Sequence, residues 1–444
     1  GRIIVGGKGR KHPKEADVFL HIAMKVAKNC RYVEPQFTLR FDKETSEEIW
    51  DEALDALGAG ATYPTLYNDD VNVPAVMYGM RVDEKTAEQY VPFGCTEFVI
   101  QGQSTGTPNI CINLLKLLTI YMNDGIDPID GKRKSGPVSL KKLEEYQTFE
   151  EFYDGYKALL DYYLDLSVKA QYHSYEVMNQ HVSFLFTSLL TDDCIARGKA
   201  LLDGGVRYLG GTNETYGNIN TSDSLWVIRD LVFNQKKYTL RQLNDAMLAN
   251  FNGYEALRKD CLNCDKYGND LETADTMAND LYEFVAKGVR DRGIAIGMQY
   301  FLIVISNNQL NTEWGNRTAA SPDGRLSCMY MNPANNPQGG ANKSGPTAML
   351  NSLAKFDAKY HGGSVQNIKF SPSMFNENRA VIKSLFKTYF AKGGCHLMVT
   401  VVDKGVLEDA VEHPENYPDL IVRVSGFSAV FVDLSPNIQQ ELLS

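Results

Sequence analysis

Apolar residues recur with two different periods along this chain, and each period predicts one type of element. Thr45 and Glu48 have the spacing of a helix-capping box, the apolar positions that follow lie three and four residues apart, and Gly58 is placed to end the helix. Similar signals predict helices over three further stretches: Thr148 to Tyr163, with Glu151 three residues after the cap; His173 to Leu190; and Thr273 to Gly288.

Short unbroken apolar runs predict strands that are covered on both faces. The best runs are Tyr300 to Ile305, Leu397 to Val402 and Ala429 to Leu434. Helical and strand patterns alternate along much of the chain, which favours the α/β class. The stretch from Asn332 to Pro346 is rich in Gly, Pro and Asn, and we expect it to separate a body from a C-terminal segment and to be a functional loop.

Composition and charge narrow the range of functions. The 444 residues carry a net charge of −10, which argues against a nucleic-acid partner because such proteins normally present a basic face. The longest apolar stretch, Ile110 to Met122, is too short to cross a membrane. Eight cysteines are too few for a disulfide scaffold, so we expect reduced thiols and a cytoplasmic location. The residues after Gly1 read like a strand and turn inside a fold, so we expect a piece of a longer protein.

The segment from Phe93 to Glu97 places a thiol and a carboxylate two residues apart, just after a Pro/Gly break. In a turning or extended loop, Cys95 and Glu97 can point to the same side and face one substrate as a reactive thiol and an acid or base. Taken alone, the same pattern also fits a buried cysteine next to a surface glutamate.

The segment from Arg423 to Ala429 places Gly426 among apolar, strand-like residues. One interpretation is a bulge or a tight bend. The other is chemical, because a radical on a glycine α-carbon is delocalised into both flanking peptide groups and persists when it is shielded from water and oxygen.

Together the two segments resemble the glycyl radical enzymes, the family of pyruvate formate-lyase and its eliminase relatives. Residues 423–429 are similar to the radical signature of that family, with Phe427 where Tyr is commoner, and residues 94–97 are similar to the cysteine loop of its eliminase and decarboxylase branch. Other similar stretches are 321–325, 344–348, 351–355, 367–370, 389–396 and 417–420.

This resemblance implies part of a ten-stranded α/β barrel surrounded by helices. Residues 1–315 would form an N-terminally truncated barrel domain and residues 316–444 a glycyl-radical domain. Members of the family are typically about twice as long as this chain, so we expect the C-terminal half of such an enzyme. Homodimers are common in the family, and the resemblance implies one here.

The resemblance also implies a mechanism without a bound cofactor other than the radical. A separate radical S-adenosylmethionine activase with an iron–sulfur cluster would remove a hydrogen atom from Gly426. The glycyl radical would take the thiol hydrogen of Cys95, and the thiyl radical would abstract hydrogen from a small hydroxylated substrate. In the eliminase branch, the carboxylate at Glu97 deprotonates a substrate hydroxyl and helps to expel a neighbouring group by C–O, C–N or C–S cleavage.

The substrate stays open at this point. Phe98 stands where diol dehydratases and choline lyase typically have Pro, and no carboxylate occurs in residues 104–109, the region where they have an Asp, which weakens a glycerol or propanediol dehydratase assignment. An arylacetate-type decarboxylase and a non-catalytic fragment or partner subunit are the alternatives. Glu214 and Asn109 are candidate substrate contacts. No metal is expected, because Cys261 and Cys264 have zinc-ligand spacing but no second pair nearby.

Overall fold

Strands and helices alternate through the computed structural model, which describes residues 2–30, 32–106, 108–305, 309–424 and 426–443, without the side chains of Pro108 and Asn109. The strands are β1 (Arg2–Gly6), β2 (Gln36–Phe41), β3 (Thr65–Asn68), β4 (Tyr90–Phe93), β5 (Glu97–Ile100), β6 (Pro108–Asn113), β7 (Gly210–Tyr216), β8 (Tyr300–Ile305), β9 (His361–Ser364), β10 (Asn367–Phe370), β11 (His396–Val401), β12 (Ile421–Arg423) and β13 (Ser428–Val430).

The α-helices surround these strands. They are α1 (Pro13–Asn29), α2 (Glu47–Gly58), α3 (Asp69–Met80), α4 (Glu84–Ala87), α5 (Leu114–Met122), α6 (Phe149–His181), α7 (Leu185–Leu189), α8 (Cys194–Arg197), α9 (Asn218–Val227), α10 (Leu240–Leu248), α11 (Glu255–Asn263), α12 (Glu272–Ala295), α13 (Leu310–Gly315), α14 (Gly345–Leu353), α15 (Pro372–Glu377), α16 (Arg379–Ala391), α17 (Lys404–Glu412) and α18 (Pro436–Leu443). The α/β class predicted from the sequence is therefore confirmed.

Two sheets organise the body. The first has five strands in the order β1-β2-β3-β11-β10, in which β1, β2 and β3 run parallel and β11 runs antiparallel to β3. The second has four parallel strands in the order β6-β7-β8-β9. Every residue of β3, β7, β8, β9 and β11 is buried, as expected for strands covered on both faces.

The sequence located the long elements and misplaced some of their ends. The run Tyr300–Ile305 is a strand with those bounds, whereas the next predicted strand is shifted by one residue, to His396–Val401. Thr45 was expected to cap α2, but Ser46 does so, because the Thr45 hydroxyl is bonded to Asp42 in the preceding turn.

The sequence predicted separate helices over Thr148 to Tyr163 and from His173 onward. In the structure these two stretches belong to one helix, α6, which Thr148 caps as expected. Leu164, Val168, Gln171 and Tyr175 are buried at helical spacing across the predicted break, so one continuous buried stripe holds the helix against the body. Beyond His181 the chain turns, and α7 is a separate short helix. The helix predicted over residues 273–288 is the longer α12, Glu272–Ala295.

The predicted strand from Ala429 to Leu434 is wrong over most of its length. The strand β13 covers only Ser428–Val430 and pairs with β12 in a two-stranded hairpin, and a 3-10 turn follows at Phe431–Asp433. Phe431 turns into a small core with Leu407, Val422 and Ile438 rather than into a wider sheet. That small core supports the hairpin that carries Gly426.

The loop expected from Asn332 to Pro346 is irregular up to residue 344, and α14 then begins at Gly345. Asn332, Asn335 and Asn336 within it are buried, so the loop is packed into the body. None of the helices in the described part of the chain combines the length and the apolar composition that crossing a membrane requires.

Candidate active site

Cys95 lies at the tip of a tight hairpin. Strands β4 and β5 pair antiparallel with Phe93 opposite Glu97, and the Thr96 N–H donates to the Phe93 carbonyl at 2.9 Å to close the turn. Gly94 has a φ of +52°, a conformation that glycine adopts at little cost. The hairpin therefore presents Cys95 on a short, tightly closed loop.

The Glu97 side chain folds back over this loop. Its Oε2 accepts the Thr96 N–H at 3.0 Å, and a Cβ added at Gly94 would lie 2.7 Å from the same oxygen. Glu97 is only 4% exposed. The carboxylate is thus buried in the loop that carries Cys95.

A second glycine supports the loop from the sheet side. Gly363 of β9 has a φ of +137°, and a Cβ there would lie 2.3 Å from the Thr96 carbonyl oxygen. Strand β9 can therefore approach the cysteine loop this closely only with glycine at that position.

Gly426 lies in the turn of the C-terminal hairpin. Strands β12 and β13 pair with Arg423 opposite Ser428, and the Val424 N–H donates to the Phe427 carbonyl at 3.1 Å. The Ser428 hydroxyl is bonded to the Thr62 hydroxyl at 2.8 Å and accepts from the Arg423 guanidinium at 3.3 Å. The buried bond to Thr62 ties the hairpin to the loop before β3, and the bond from Arg423 lies within the hairpin.

The two hairpins meet at Cys95 and Gly426, which are 331 positions apart in the sequence. A Cβ added at Gly426 would lie 2.4 Å from Cys95 Sγ, 2.6 Å from its Cα and 2.7 Å from its Cβ. The close approach of Cys95 therefore requires glycine here. A side chain at this position would fill the space in which the thiol lies.

The surroundings keep Cys95 protonated. Burial raises the pKa of its thiol to about 12, and the charges of Glu97 and Glu214 add to the increase, whereas Arg423 and Arg2 lower it. At neutral pH the S–H bond is therefore intact. Such a group can give up a hydrogen atom, which a thiolate cannot.

The surroundings affect Glu97 differently. Burial raises the pKa of its carboxyl group to about 7, the charge of Glu214 adds to the increase, and backbone hydrogen bonds lower it. A carboxyl group with a pKa near 7 is present in both protonation states at neutral pH, so it can accept and return a proton.

Glu214 lies on β7 directly beside Cys111 of β6. Its Oε2 accepts the Tyr216 hydroxyl at 2.5 Å and the Cys111 thiol at 3.5 Å, and the residue is 6% exposed. The charge of Glu214 raises the pKa of Cys95 and of Glu97. The side chain of the other candidate contact, Asn109, lies outside the described residues, although its backbone belongs to β6.

Several residues around the site were missed by the sequence analysis. The Tyr67 hydroxyl and the His396 Nε2 are buried without a hydrogen-bond partner in the described residues, and their rings are 4.5 Å apart. The Nη2 atom of Arg423 is also buried without a hydrogen-bond partner in the described residues, and the charge of Arg423 lowers the pKa of His396. A polar residue within an otherwise apolar strand was the sequence signal that could have identified these residues, because such residues are seldom buried without a role. Cys111, which lies beside Glu214, could have been found in the same way.

Comparison with known proteins assigns the chain to a family. The sequence model of the Pyruvate formate lyase-like family matches residues 1–310, and that of the Glycine radical family matches residues 331–432. The chain belongs to the pyruvate formate lyase-like family. It carries a C-terminal glycine radical domain and has the barrel fold of the glycyl radical enzymes, as the resemblance predicted.

Relatives and structural neighbours of this family member agree. It is 30% identical over 426 residues to trans-4-hydroxy-L-proline dehydratase of Clostridioides difficile, covering 95% of this chain and 54% of that protein. It is 27% identical to (2S)-3-sulfopropanediol dehydratase of Klebsiella oxytoca, covering 99% and 54%. The glycerol-bound B12-independent glycerol dehydratase of Clostridium butyricum superposes with a TM-score of 0.91 at 29% identity, covering 100% and 56%. The chain spans about half the length of the curated relatives it matches.

Proposed function

We propose that this chain carries the catalytic centre of a glycyl radical lyase that acts on a small hydroxylated substrate. The observation that carries this proposal is the direct contact between Gly426 and the Cys95 thiol, with the Glu97 carboxyl group on the same loop. Relatives named as dehydratases support the reaction class.

In this proposal the chemistry starts at Gly426, whose radical form supplies an acceptor for one hydrogen atom. Cys95 donates its thiol hydrogen to the Gly426 α-carbon and keeps the unpaired electron on sulfur. The sulfur then takes a hydrogen atom from a substrate C–H bond, which restores the S–H bond and moves the unpaired electron to the substrate. The raised pKa of Cys95 supports this role, because it keeps the S–H bond intact at neutral pH.

Glu97 acts on protons in the same cycle. Its carboxylate accepts the proton of the substrate hydroxyl, and the neighbouring C–O, C–N or C–S bond breaks with its electron pair on the leaving group. The product radical recovers hydrogen from Cys95. The pKa of about 7 supports this assignment, since the group is partly ionised at neutral pH and can pass the proton to the leaving group.

The remaining roles are proposals of the same standing. Glu214 would contact the substrate, and so would Asn109. A radical S-adenosylmethionine activase with an iron–sulfur cluster would install the radical on Gly426, and two copies would form a dimer. All eight cysteines are free thiols, which supports a reducing, cytoplasmic location.

We also propose the division of the chain into a barrel domain, 1–315, and a glycyl-radical domain, 316–444. Strands β9 and β11 lie beyond residue 316 and pair with β8 and β3, so the two parts share both sheets. The proposed boundary therefore separates roles and not independently folding units.

Electron paramagnetic resonance tests the proposal. Two samples of the protein are produced, one with ordinary glycine and one with glycine deuterated at the α-carbon. Each sample is incubated without oxygen with an activase and S-adenosylmethionine. A doublet that collapses to a single line on deuteration is expected, because one α-hydrogen splits the signal. Gly426→Ala should give no signal, and Gly405→Ala in exposed α17 is the matched control that should keep it.

Turnover then separates the reaction classes. The radical form is offered diols, hydroxylated amines, hydroxysulfonates and arylacetates. Elimination from a hydroxylated compound supports the lyase, and release of carbon dioxide from an arylacetate would favour the decarboxylase alternative. Cys95→Ser should keep the doublet and lose all turnover. No doublet, with an activase shown to work on another glycyl radical protein, would favour the non-catalytic alternative.

A further inference from the structure

Strand β4 leads into the cysteine loop and pairs with a single strand, β5, in the described part of the chain. The main-chain groups of successive residues in a strand face opposite sides in turn. The Phe93 carbonyl faces β5, because it accepts the Thr96 N–H at 2.9 Å across the turn. The carbonyls of Tyr90, Pro92 and Gly94 therefore face away from β5. Pro92, which has no N–H to donate, stands at an edge position where none is needed.

Two arginines take the place of a second neighbouring strand. Arg40 Nη1 donates to the Tyr90 carbonyl at 3.0 Å. Arg2 donates from Nη1 to the Pro92 carbonyl and from Nη2 to the Gly94 carbonyl, both at 2.5 Å. All three edge carbonyls are thus bonded to guanidinium groups, which fix the free edge of β4 against the first sheet.

Strand register gives the two guanidinium groups their spacing. Arg40 of β2 lies beside Gly6 of β1, four residues along β1 from Arg2. Positions four apart in a strand share one face and are about 13 Å apart. Tyr90 and Gly94 are also four residues apart, so the two arginines reach the carbonyls from one face of the sheet at a matching distance.

The two arginines differ in their other partners. Arg40 Nε and Nη2 donate to the carboxylate of Asp69 at 2.9 and 2.7 Å, and Asp69 is fully buried, so Arg40 belongs to an ion pair inside the fold. Arg2 donates to the side-chain oxygen of Gln36, its neighbour on β2, and to the cysteine loop. Of the two, only Arg2 bonds a residue adjacent to Cys95.

The main chain is fixed on both sides of Cys95. Before it, Arg2 holds the carbonyl of the peptide group that joins Gly94 to Cys95. After it, the Thr96 carbonyl oxygen lies against Gly363 of β9. Between these two points the thiol faces Gly426, where an added Cβ would lie 2.4 Å from Sγ. A thiol held in this way has little freedom to turn from the glycine.

We propose that Arg2 is a positioning residue, whose bonds to the Pro92 and Gly94 carbonyls (the Arg2 clamp) set the distance and direction from Cys95 Sγ to the α-carbon of Gly426. This inference rests on the proposed function, in which a hydrogen atom passes between these two atoms. Arg2 acts through the main chain of the loop. Transfer of a hydrogen atom is sensitive to small displacements, so the clamp governs its rate.

Alkylation of Cys95 in the full chain tests the clamp without any radical. Arg2→Met keeps an unbranched side chain and removes every donor. The loop should then open more often, and Cys95 should react with iodoacetamide at least about threefold faster, read on its peptide by mass spectrometry. Loss of the charge alone would slow the reaction, because Arg2 lowers the pKa of Cys95. Arg2→Lys, which keeps the charge and a donor, should give an intermediate rate.

The matched control is Arg10→Met. Arg10 also donates to a main-chain carbonyl, that of Gly7 at 2.8 Å, but it bonds no residue of the cysteine loop in the described structure. Its substitution should leave the alkylation rate of Cys95 unchanged.

Exchange of the radical's hydrogen with solvent measures the positioning itself. The radical form is moved into deuterium oxide, where the Cys95 thiol exchanges its proton for deuterium. Transfer of deuterium from sulfur to the Gly426 α-carbon, and return of a hydrogen atom to sulfur, leaves deuterium on the radical and turns the doublet into a single line. Arg2→Met should form as much radical but lose the doublet at least about tenfold more slowly. Arg2→Lys should recover part of the rate, and Arg10→Met all of it.

The rate per radical separates positioning from support of the fold, which would change the melting temperature or the radical yield instead. Equal alkylation rates, or equal rates of doublet loss, in Arg2→Met and the unaltered chain would overturn the inference. If Arg2→Met does not fold, Arg2→Lys replaces it in both comparisons, and rates equal to those of the unaltered chain would overturn the inference.

The inference and the proposed function can fail separately. If the unaltered chain gives no doublet with a working activase, the lyase proposal fails, and alkylation alone decides the role of Arg2. A doublet that is lost equally fast in the unaltered chain and in Arg2→Met would overturn the role of Arg2 and leave the lyase proposal standing.

Discussion

The substitution Glu97→Gln should increase the stability of the protein relative to the unaltered chain, and this increase should be larger at alkaline pH than at acidic pH. Gln has the same shape, and its amide oxygen can still accept the Thr96 N–H, which the Glu97 carboxylate accepts at 3.0 Å. The substitution therefore removes the buried charge and leaves the packing of the loop nearly unchanged.

The size of the effect follows from the shift in pKa. Burial and Glu214 raise the pKa of Glu97 from 4.5 to about 7. One unit corresponds to about 1.4 kcal/mol, so the folded state loses about 3 kcal/mol when this group ionises. Because the pKa is raised, the folded state binds more protons than the unfolded state between these two values, and stability falls as the pH rises through that window. Below pH 4.5 the loss is absent, and above pH 7 it is complete.

Urea unfolding at pH 5 and at pH 8.5 measures this. The difference in the free energy of unfolding between Glu97→Gln and the unaltered chain is taken at each pH, so that other titrating groups cancel. That difference should move in favour of the variant by about 2.5 kcal/mol from the lower to the higher pH, because a small part of the loss is already present at pH 5. Glu412→Gln, at an exposed position, should show no such change. Parallel pH dependence of Glu97→Gln and the unaltered chain would refute a buried, near-neutral Glu97.

Three other outcomes are expected. Gly426→Ala should destabilise the fold by about 1–3 kcal/mol, because the new Cβ would lie 2.4 Å from Cys95 Sγ; an unchanged melting temperature would disprove the contact. Ser428→Ala removes the buried bond to Thr62 and should cost about 1 kcal/mol and speed proteolysis within the C-terminal hairpin, and equal cleavage rates would argue against that tie. With a pKa of about 12, the thiol of Cys95 should react with iodoacetamide at pH 8 far more slowly than that of exposed Cys30, as peptide mass spectrometry can follow.

The pattern of apolar residues predicted correctly the strand that is covered on both faces along its whole length. Tyr300–Ile305 is a strand with the predicted bounds, because a residue covered on both faces must be apolar wherever it lies in the strand. The apolar run after Ala429 has one neighbouring strand only, and Phe431 gains more by turning into the small C-terminal core. Periodicity does not report which apolar run has a second neighbour, so it could not separate these two cases.

The residues of the proposed site could be named from the sequence, but the contacts between them could not. Cys95, Glu97 and Gly426 were named from short motifs and a family resemblance, whereas the contact between the first and the last depends on the whole fold. The partners of Glu214 were missed, since Cys111 becomes its neighbour only through the register of β6 against β7. Motifs name the chemistry that a chain carries, and sheet register decides which groups can act together.

The meeting of the two hairpins also orders events during protein synthesis. The cysteine loop leaves the ribosome 331 residues before Gly426, a delay of about 17–66 seconds at 5–20 residues per second. Throughout that time the thiol has no partner glycine, and the bond between Thr62 and Ser428 cannot form. Gly426 and Ser428 are made only after the strands of both sheets. A ribosome-bound or prematurely terminated chain that stops before the β12–β13 hairpin therefore displays the thiol without the glycine that it contacts in the complete fold.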